Sequence, residues 1–596
     1  MGFGKKLETQ KRFAQYRERV SAAVQEKKIF KIMGGGDGAT RIREVMRRRG
    51  WIEQKVIAWY AIYNQMSKIS LVNESKPGNE AEYALIYKLL GDYTPDFVWA
   101  NNYLAYDLYR GFGLMNRVRF TGLNFCGKDE IVRYVEQINS KIGDPEKKVR
   151  FSRTFEINDE KDVEMFKKQF ELNLVTGLIL YLFDGRPIHK FFVKLSDSTG
   201  HEGLDFALRL IESCSKLSKN HEKFKIFDLF CECDKLNAVQ WNQIFAAHEA
   251  IVKKGKRIRL DGAAVKEYIT RIQLCGTFLK ACSPDTFYEG YHNIYILKPA
   301  WSGEADGVTL MDNREQILAL LQQANRKFII QKYIERPLLL YGHTKTDIRQ
   351  YFLISLDRRH YRGWSHPLCS IKLCSKQFSL TDFHESCHIT NTSVQSKYHE
   401  KTDPDAPDHH MMSLASLNQY FEKIGKKDVY WEVIYPEMKR VLQAFVETSY
   451  DHIEHRPGRY QLFGCDWMIT EDYKVYLIEI NATPSLEHYT PVSNVLIDTV
   501  LEDLVKVTVD FQRDPTAYTG AFEIVHEMPL YKSSAEYQNI QQQQQNNGEL
   551  EEQQEKVKRE VAATYNSCSV GMTANQVPSE NNIEVPAAAA FVKVVA

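Results

Sequence analysis

The spacing of apolar and polar residues changes several times along the chain, and each change predicts a different element. Residues 1–28 are polar and rich in Lys, Arg, Glu and Gln, which predicts an exposed lead-in helix or a frayed terminus. Ile29, Phe30 and Ile32 then form a strand-like run that Gly34, Gly35 and Gly36 break. Ile42, Val45 and Met46 recur at helical spacing, and Gly50 is placed to end that helix. Strand, glycine turn and helix make an α/β unit. Residues 81–125 mix a helical pattern with aromatics such as Trp99 and Tyr103. Residues 160–184 and 203–218 read as amphipathic helices, and 236–283 as further helices. The period then shortens. Residues 293–300, 327–334, 347–355, 460–469 and 474–481 are short β-rich runs, with helical patterns at 311–325 and 431–455 between them. Beyond about 515 the chain turns Gln-rich and loses its period, with one candidate helix at 547–563. The expected organisation is a lead-in at 1–28, an N-terminal α/β subdomain at 29–125, a central subdomain at 126–335, a C-terminal subdomain at 336–515 and a mostly disordered tail at 516–596.

Composition narrows the class. A length of 596 residues suggests roughly two to four domains. Lys plus Arg number 78 and Asp plus Glu 77, so the net charge is +1, which argues against a dedicated nucleic-acid binder. No run approaches the ~20 apolar residues of a membrane helix, so no membrane insertion is expected. The first residues lack the apolar core of a signal peptide, and Lys6 spoils a myristoylation pattern. The eleven cysteines, an odd number, read as reduced thiols of a cytosolic protein. Cys369, Cys374, His384, Cys387 and His388 cluster without the spacing of a common zinc finger, so buried thiols and loop histidines are the preferred reading there.

Candidate chemistry lies in the second half. Lys298 ends a strand beside a turn containing Gly303 and Gly307, a pairing suited to phosphate, with a plain hairpin the commoner reading of a strand and Gly turn alone. The apolar strand running into Gln331, Lys332, Tyr333 and Ile334 reads on its own as an ordinary buried strand, and it also has the form of a linker able to hold a flat base through its backbone. Lys345, Asp347 and Arg349 alternate, so in a strand they share one face, which is costly unless that face lines a polar cleft. Asp466 lies on one apolar strand; Glu479 and Asn481 lie on the next, two apart and pointing the same way. Two carboxylates and an amide are hard oxygen ligands suited to Mg²⁺ shared with nucleotide phosphates.

In this order these residues resemble the tubulin tyrosine ligase-like family over about residues 290–510. The segment CHITNTSVQ (387–395) is similar to that family's His-Leu-Thr-Asn stretch, with Asn391 at its Asn. KKIFKIMGGGDGATRIREVMRRRGW, with the segment from Trp99 to Phe125, resembles the glycine-ligating branch, the monoglycylases. The resemblance implies an α/β ATP-grasp ligase fold, with the nucleotide cleft between central and C-terminal subdomains. It implies ATP and Mg²⁺ as cofactors, free glycine as co-substrate and the acidic tails of tubulin and microtubules as partner. Lys298 would steady phosphates, Gln331 to Ile334 frame adenine, and Lys345 and Asp347 touch the nucleoside. Arg349 and Glu479 would be catalytic, and Asp466, Glu479 and Asn481 would hold the metal. Asn391 and the basic helix residues Arg47, Arg48 and Arg49 would bind substrate; a solvated helix face is the plain alternative for the arginines. A monomer in the cytoplasm and cytoskeleton, at the axoneme of a cilium or flagellum, follows from the same source.

Two departures from the family pattern stand out. The phosphate loop reads Glu304, Ala305, Asp306, so that Ala305 replaces a glycine and Asp306 a basic residue. A family Arg on the strand after 347–355 is missing: His366 or Pro367 falls there, with Lys372 at a following basic position and Arg358, Arg359 or Arg362 as substitutes. The competing expectations are a microtubule-binding pseudoenzyme with a degraded site, and a ligase that adds glutamate.

Overall fold

A computed structural model describes residues 2–530 except 34–35, 37, 56–61, 101–113, 117–122, 124, 195–200, 219–234, 283–288, 301–302, 304, 324–326, 400 and 454–457. Residues Met1–Leu530 form one compact unit, and the second, Tyr531–Ala596, lies outside the described residues, as do Glu304, Asn101 and Asn102. None of the described helices is long and apolar enough to cross a membrane.

The unit is built on a mixed sheet of eleven strands. Its centre is a hairpin of Thr344–Leu356, rich in aromatic and β-branched residues, and His360–Gln377, both long and buried along most of their length. Arg459–Ile469 pairs antiparallel with the first of these, and Val475–Asn481 pairs antiparallel with Arg459–Ile469. The register sets Arg349 opposite Asp466 and Asp466 opposite Glu479, while Asp347 faces Lys372 across the hairpin. Charged residues far apart in sequence thereby fall on neighbouring rungs.

The N-terminal strands do not form a sheet of their own. Ile52–Glu53, Ile29–Met33, Phe97–Ala100 and Leu114–Asn116 run parallel in that spatial order, and Leu114–Asn116 pairs with the start of Arg459–Ile469. The segments expected as separate N-terminal and C-terminal subdomains thus share one sheet. Helices Ala39–Arg48 and Pro491–Val505 cover it, packing Ile42, Val45 and Met46 with Leu496, Val500 and Leu501. The lead-in helix Gly2–Gln25 is docked, with Val20 and Ala23 against Ile29, Ile52 and Ile86. The folded chain also continues past 515: Glu523–Pro529 pairs with the second hairpin strand, and Leu530 N donates to the Arg359 carbonyl.

A second, antiparallel sheet holds Thr154–Glu156, Phe328–Lys332, Tyr295–Pro299 and Thr309–Met311 in that order. Helix Glu160–Asp184, capped by Asp159, lays Phe166, Phe170 and Leu174 on it. The helix's later turns bury Val175, Ile179 and Leu182 in a helical layer with Glu202–Ser218, Ala238–His248 and Gly262–Cys282. The cysteine-rich neighbourhood is dispersed. Cys369, Cys374 and Cys387 are buried, Cys369 lies against the Tyr430 hydroxyl, and His384 caps the short helix Glu385–His388.

The basic helix Ala39–Arg48 is a cross-brace. Glu53 accepts from Arg43 at 3.0 Å and from Arg47 at 2.7 Å, Arg48 reaches Glu502, and Arg49 reaches Asp510 at 2.6 Å. Glu53 is 3% exposed and Arg48 57%, so the pairs differ in worth. Glu53→Ala leaves two half-buried guanidinium groups without their carboxylate and is expected to lower stability by about 2 kcal/mol. Arg48→Ala removes a solvated pair and is expected to change it by less than ~0.5 kcal/mol. Urea unfolding of both variants checks this, and equal effects would refute the brace.

Candidate functional site

Between the two sheets lies a cleft of about 190 Å³. One part is apolar. Ile334, Met468 and Tyr476 form a small buried cluster with Ile478, and Ile296 faces them from the second sheet. Gln331, Lys332, Tyr333 and Ile334 all line this slot, the form expected for a linker beside a flat base. Their side chains have separate tasks. The Lys332 ammonium is spent on the Glu289 and Ile294 carbonyls and on Glu335 Oε1 at 2.9 Å, so Lys332 offers the cleft its backbone. Burial would raise the Glu335 carboxyl, but Lys332 and His292 hold it at about 2. Gln331 Oε1 accepts from Lys298 Nζ at 2.8 Å.

The wall opposite is the segment 387–391. His388 Nδ1 meets the Tyr333 hydroxyl at 2.9 Å, and Nε2 meets the Asp382 carbonyl at 2.7 Å. Burial lowers His388 to about 4, so the ring is neutral, with Nε2 protonated toward the carbonyl. Thr390 Oγ1 donates to Asp347 Oδ2 at 2.5 Å, and Lys345 Nζ holds the same carboxylate at 2.7 Å. In sequence, Asn391 is given a role in this segment, but His388 reads only as a loop histidine and nothing is assigned to Thr390.

The other part of the cleft is cationic. Lys128, Lys298, Lys345 and Lys372 all line it. Burial lowers the ammonium groups of Lys128, Lys298 and Lys372, while Glu479 pulls each back toward the charged form. Desolvated ammonium groups of this kind gain most from an added anion. Lys128 lies just ahead of helix Glu130–Lys141, at a position that no motif marks.

Beside these lysines stand the acids. Arg349 grips Asp466 with two bonds, Nε to Oδ1 at 2.6 Å and Nη2 to Oδ2 at 2.7 Å. Burial opposes ionisation of Asp466, yet the Arg349 charge outweighs it, and Lys372 adds to the effect, holding the carboxyl at about 2. Asn481 Nδ2 donates to Asp466 Oδ2 at 3.1 Å and to Glu479 Oε1 at 3.0 Å. The predicted metal set is therefore assembled on two adjacent strands. Two carboxylates and an amide supply hard oxygen donors, a chemistry that fits Mg²⁺.

A second chamber of about 680 Å³ adjoins the cleft and shares Gly303, Lys372, Asn391, Glu479 and Asn481 with it. Arg349 lines this chamber, as does Gly36 of the N-terminal glycine turn. Lys372 thus stands between the two spaces. The other proposed substitutes do not. Arg362 is bound to Asp357 and Glu527, opposite Ser355 and six residues along the strand from Arg349, roughly 20 Å away. Arg358 and Arg359 are exposed at the hairpin turn, and His366 is buried against Asp503 at 3.3 Å. Arg47, Arg48 and Arg49 line neither space. In the altered loop, Ala305 lines the cleft with φ of 65°, in the left-handed region that disfavours a Cβ. Asp306 is exposed and outside the lining.

The sequence profile of the tubulin-tyrosine ligase family matches residues 232–517. The chain is 30% identical to tubulin glycylase 3B of Drosophila melanogaster over 520 residues, 86% of this chain and 68% of that protein. It is 25% identical to the human tubulin monoglycylase TTLL3 over 543 residues, 86% of this chain and 66% of the relative. Mouse protein monoglycylase TTLL8 is 25% identical over 565 residues, 87% of this chain and 65% of the relative. With a relative 30% identical over 68% of its length and the family profile on residues 232–517, the chain belongs to the tubulin-tyrosine ligase family.

Proposed function

We propose that this protein is an ATP- and Mg²⁺-dependent ligase that joins glycine to the γ-carboxyl of glutamates in tubulin tails. The observation that carries the reading is the convergence of four lysines and Arg349 on the Asp466, Glu479 and Asn481 side chains beside an apolar slot. Such a balance of charge suits a nucleotide whose phosphate oxygens need neutralising. The relatives named tubulin glycylase and monoglycylase support glycine and tubulin as the substrates. On this reading the protein acts as a monomer at the cytoskeleton, including the axonemes of cilia and flagella.

The residues divide the work as follows. Ile296, Ile334, Met468 and Ile478 sandwich adenine, and the 331–334 backbone reads its edge. Lys345 and Asp347, clasped by Thr390, face the ribose, while Lys298 and Lys128 approach phosphate oxygens. Asp466, Glu479 and Asn481 would hold Mg²⁺, which neutralises charge on the phosphoryl group during transfer. In the second chamber a γ-carboxylate oxygen of the acceptor attacks the terminal phosphorus and ADP leaves. The free amine of glycine then attacks the acyl carbon, phosphate leaves, and an isopeptide bond remains as the amine loses its proton. Arg349 and Lys372 flank this position and offset the negative charge of two carboxylates brought close to phosphate.

Glycine incorporation into purified tubulin, read by mass spectrometry of the tails, is expected for the wild type. Glu479→Gln is expected to lower kcat at least about a hundredfold while microtubule binding persists. Absence of wild-type incorporation would remove the ligase reading; with binding intact, it would favour the non-catalytic alternative to which the strained Ala305 points. Glutamate incorporation in place of glycine would change the co-substrate. Ala305→Gly relieves a left-handed alanine worth about 1 kcal/mol. It is expected to lower the KM for ATP about fivefold at unchanged kcat. A higher KM in steady-state kinetics would contradict the placement of that loop on the nucleotide.

A further inference from the structure

The arginines of helix Ala39–Arg48 are neutralised within the fold, but another set of cations is not. Strands Phe192–Lys194 and Ile258–Leu260 pair in parallel, so the segments that lead into them lie at the same end of this two-stranded sheet. The first segment brings Arg186 and Lys190, and the second brings Lys256 and Arg257. Arg259 alternates outward between buried Ile258 and Leu260, on the same side as Arg257, and sits across from Val193. All five side chains are exposed, and among the described residues none pairs with a carboxylate. Arg186 lies over the Phe183 ring and Lys190 over the Phe191 ring.

Nearby acids are already engaged. Glu249 is shared by Lys253 and Lys254, Asp261 accepts from the amides of Ala263 and Ala264, and Asp184 holds Lys280 and Tyr291. In a chain of net charge +1, five uncancelled cations at one end of a small sheet are a local concentration of positive potential. None of them lines the cleft or the second chamber.

We propose that this surface docks an acidic, glutamate-rich tubulin tail outside the catalytic space, so that acceptor glutamates are presented to the chamber at high effective concentration. The proposal rests on tubulin being the substrate. Its chemistry is carboxylate recognition by solvated Lys and Arg, which is salt-sensitive because such charges are screened within about 10 Å at ~0.1 M salt. A second contact site on the same flexible tail raises avidity with no change in the reacting groups.

The test uses the full chain carrying Lys256→Glu, Arg257→Glu and Arg259→Glu together, with Arg186→Glu and Lys190→Glu as a second variant on the other segment. Co-sedimentation with microtubules at low salt is expected to weaken about tenfold or more in both, with a flatter salt dependence. Microtubules stripped of their tails by limited proteolysis are expected to bind wild type no better than variant. The KM for microtubules rises, while kcat on a short glutamate peptide stays at the wild-type value. Wild-type affinity in both variants, or wild-type binding undiminished by tail removal, overturns the proposal. So does a variant that loses retention on RNA or anionic vesicles but not on microtubules. Salt-sensitive, tail-dependent binding without any glycine incorporation would defeat the ligase reading and leave this surface standing.

Discussion

The pairing of Arg349 with Asp466 across two central strands is the constraint around which the site is arranged. A carboxylate with so little access to water, 13% exposed, stays ionised because a guanidinium grips both its oxygens and Lys372 stands nearby. Glu479 and Asn481 follow from the register of the next strand, and Lys345, Asp347 and Lys372 from the hairpin. A one-residue slip in any of these ladders would turn the charges toward the opposite, apolar face of the sheet. The chemistry of the site and the register of the sheet are therefore a single property.

Much of this arrangement is legible in sequence because strands have a period of two. Lys345, Asp347 and Arg349 must share a face, and so must Glu479 and Asn481. The runs at 293–300, 327–334, 460–469 and 474–481 are strands, and 160–184 is a helix with nearly those limits. His360–Gln377 escaped because it is buried on both faces and mixes Ser, His, Pro and Cys with apolar residues, leaving no alternation to read. That omission hid the placement of Lys372 opposite Asp347 and made Arg362 look available. Lys128 and His388 come from loop and short-helix segments whose positions depend on tertiary packing. The five basic residues between 41 and 49 show the limit of charge patterns: each has an acidic partner outside its own helix, at Glu53, Glu502 or Asp510.

The relatives and the geometry meet at the N-terminal glycine turn. Gly38 has φ of 76°, and a Cβ there would lie 3.0 Å from Leu486 and 3.2 Å from Trp99. The turn is thus seated against the loop that follows Glu479 and Asn481, and Gly36 reaches the chamber that Arg349 lines. The segment that resembles the glycine-ligating branch is physically part of the chamber that adjoins the cleft.

Leu114–Asn116 lies between Phe97–Ala100 and the first residues of Arg459–Ile469, the strand that carries Asp466. It acts as a splice, hydrogen-bonding the N-terminal strands onto the Asp466 strand. Without it, the start of the Asp466 strand would become a raw sheet edge, with unpaired amides and carbonyls open to another chain. The N-terminal quarter of the folded unit therefore shields the Asp466 strand from intermolecular pairing, and a protease cut that released it would convert a buried ladder into a template for aggregation.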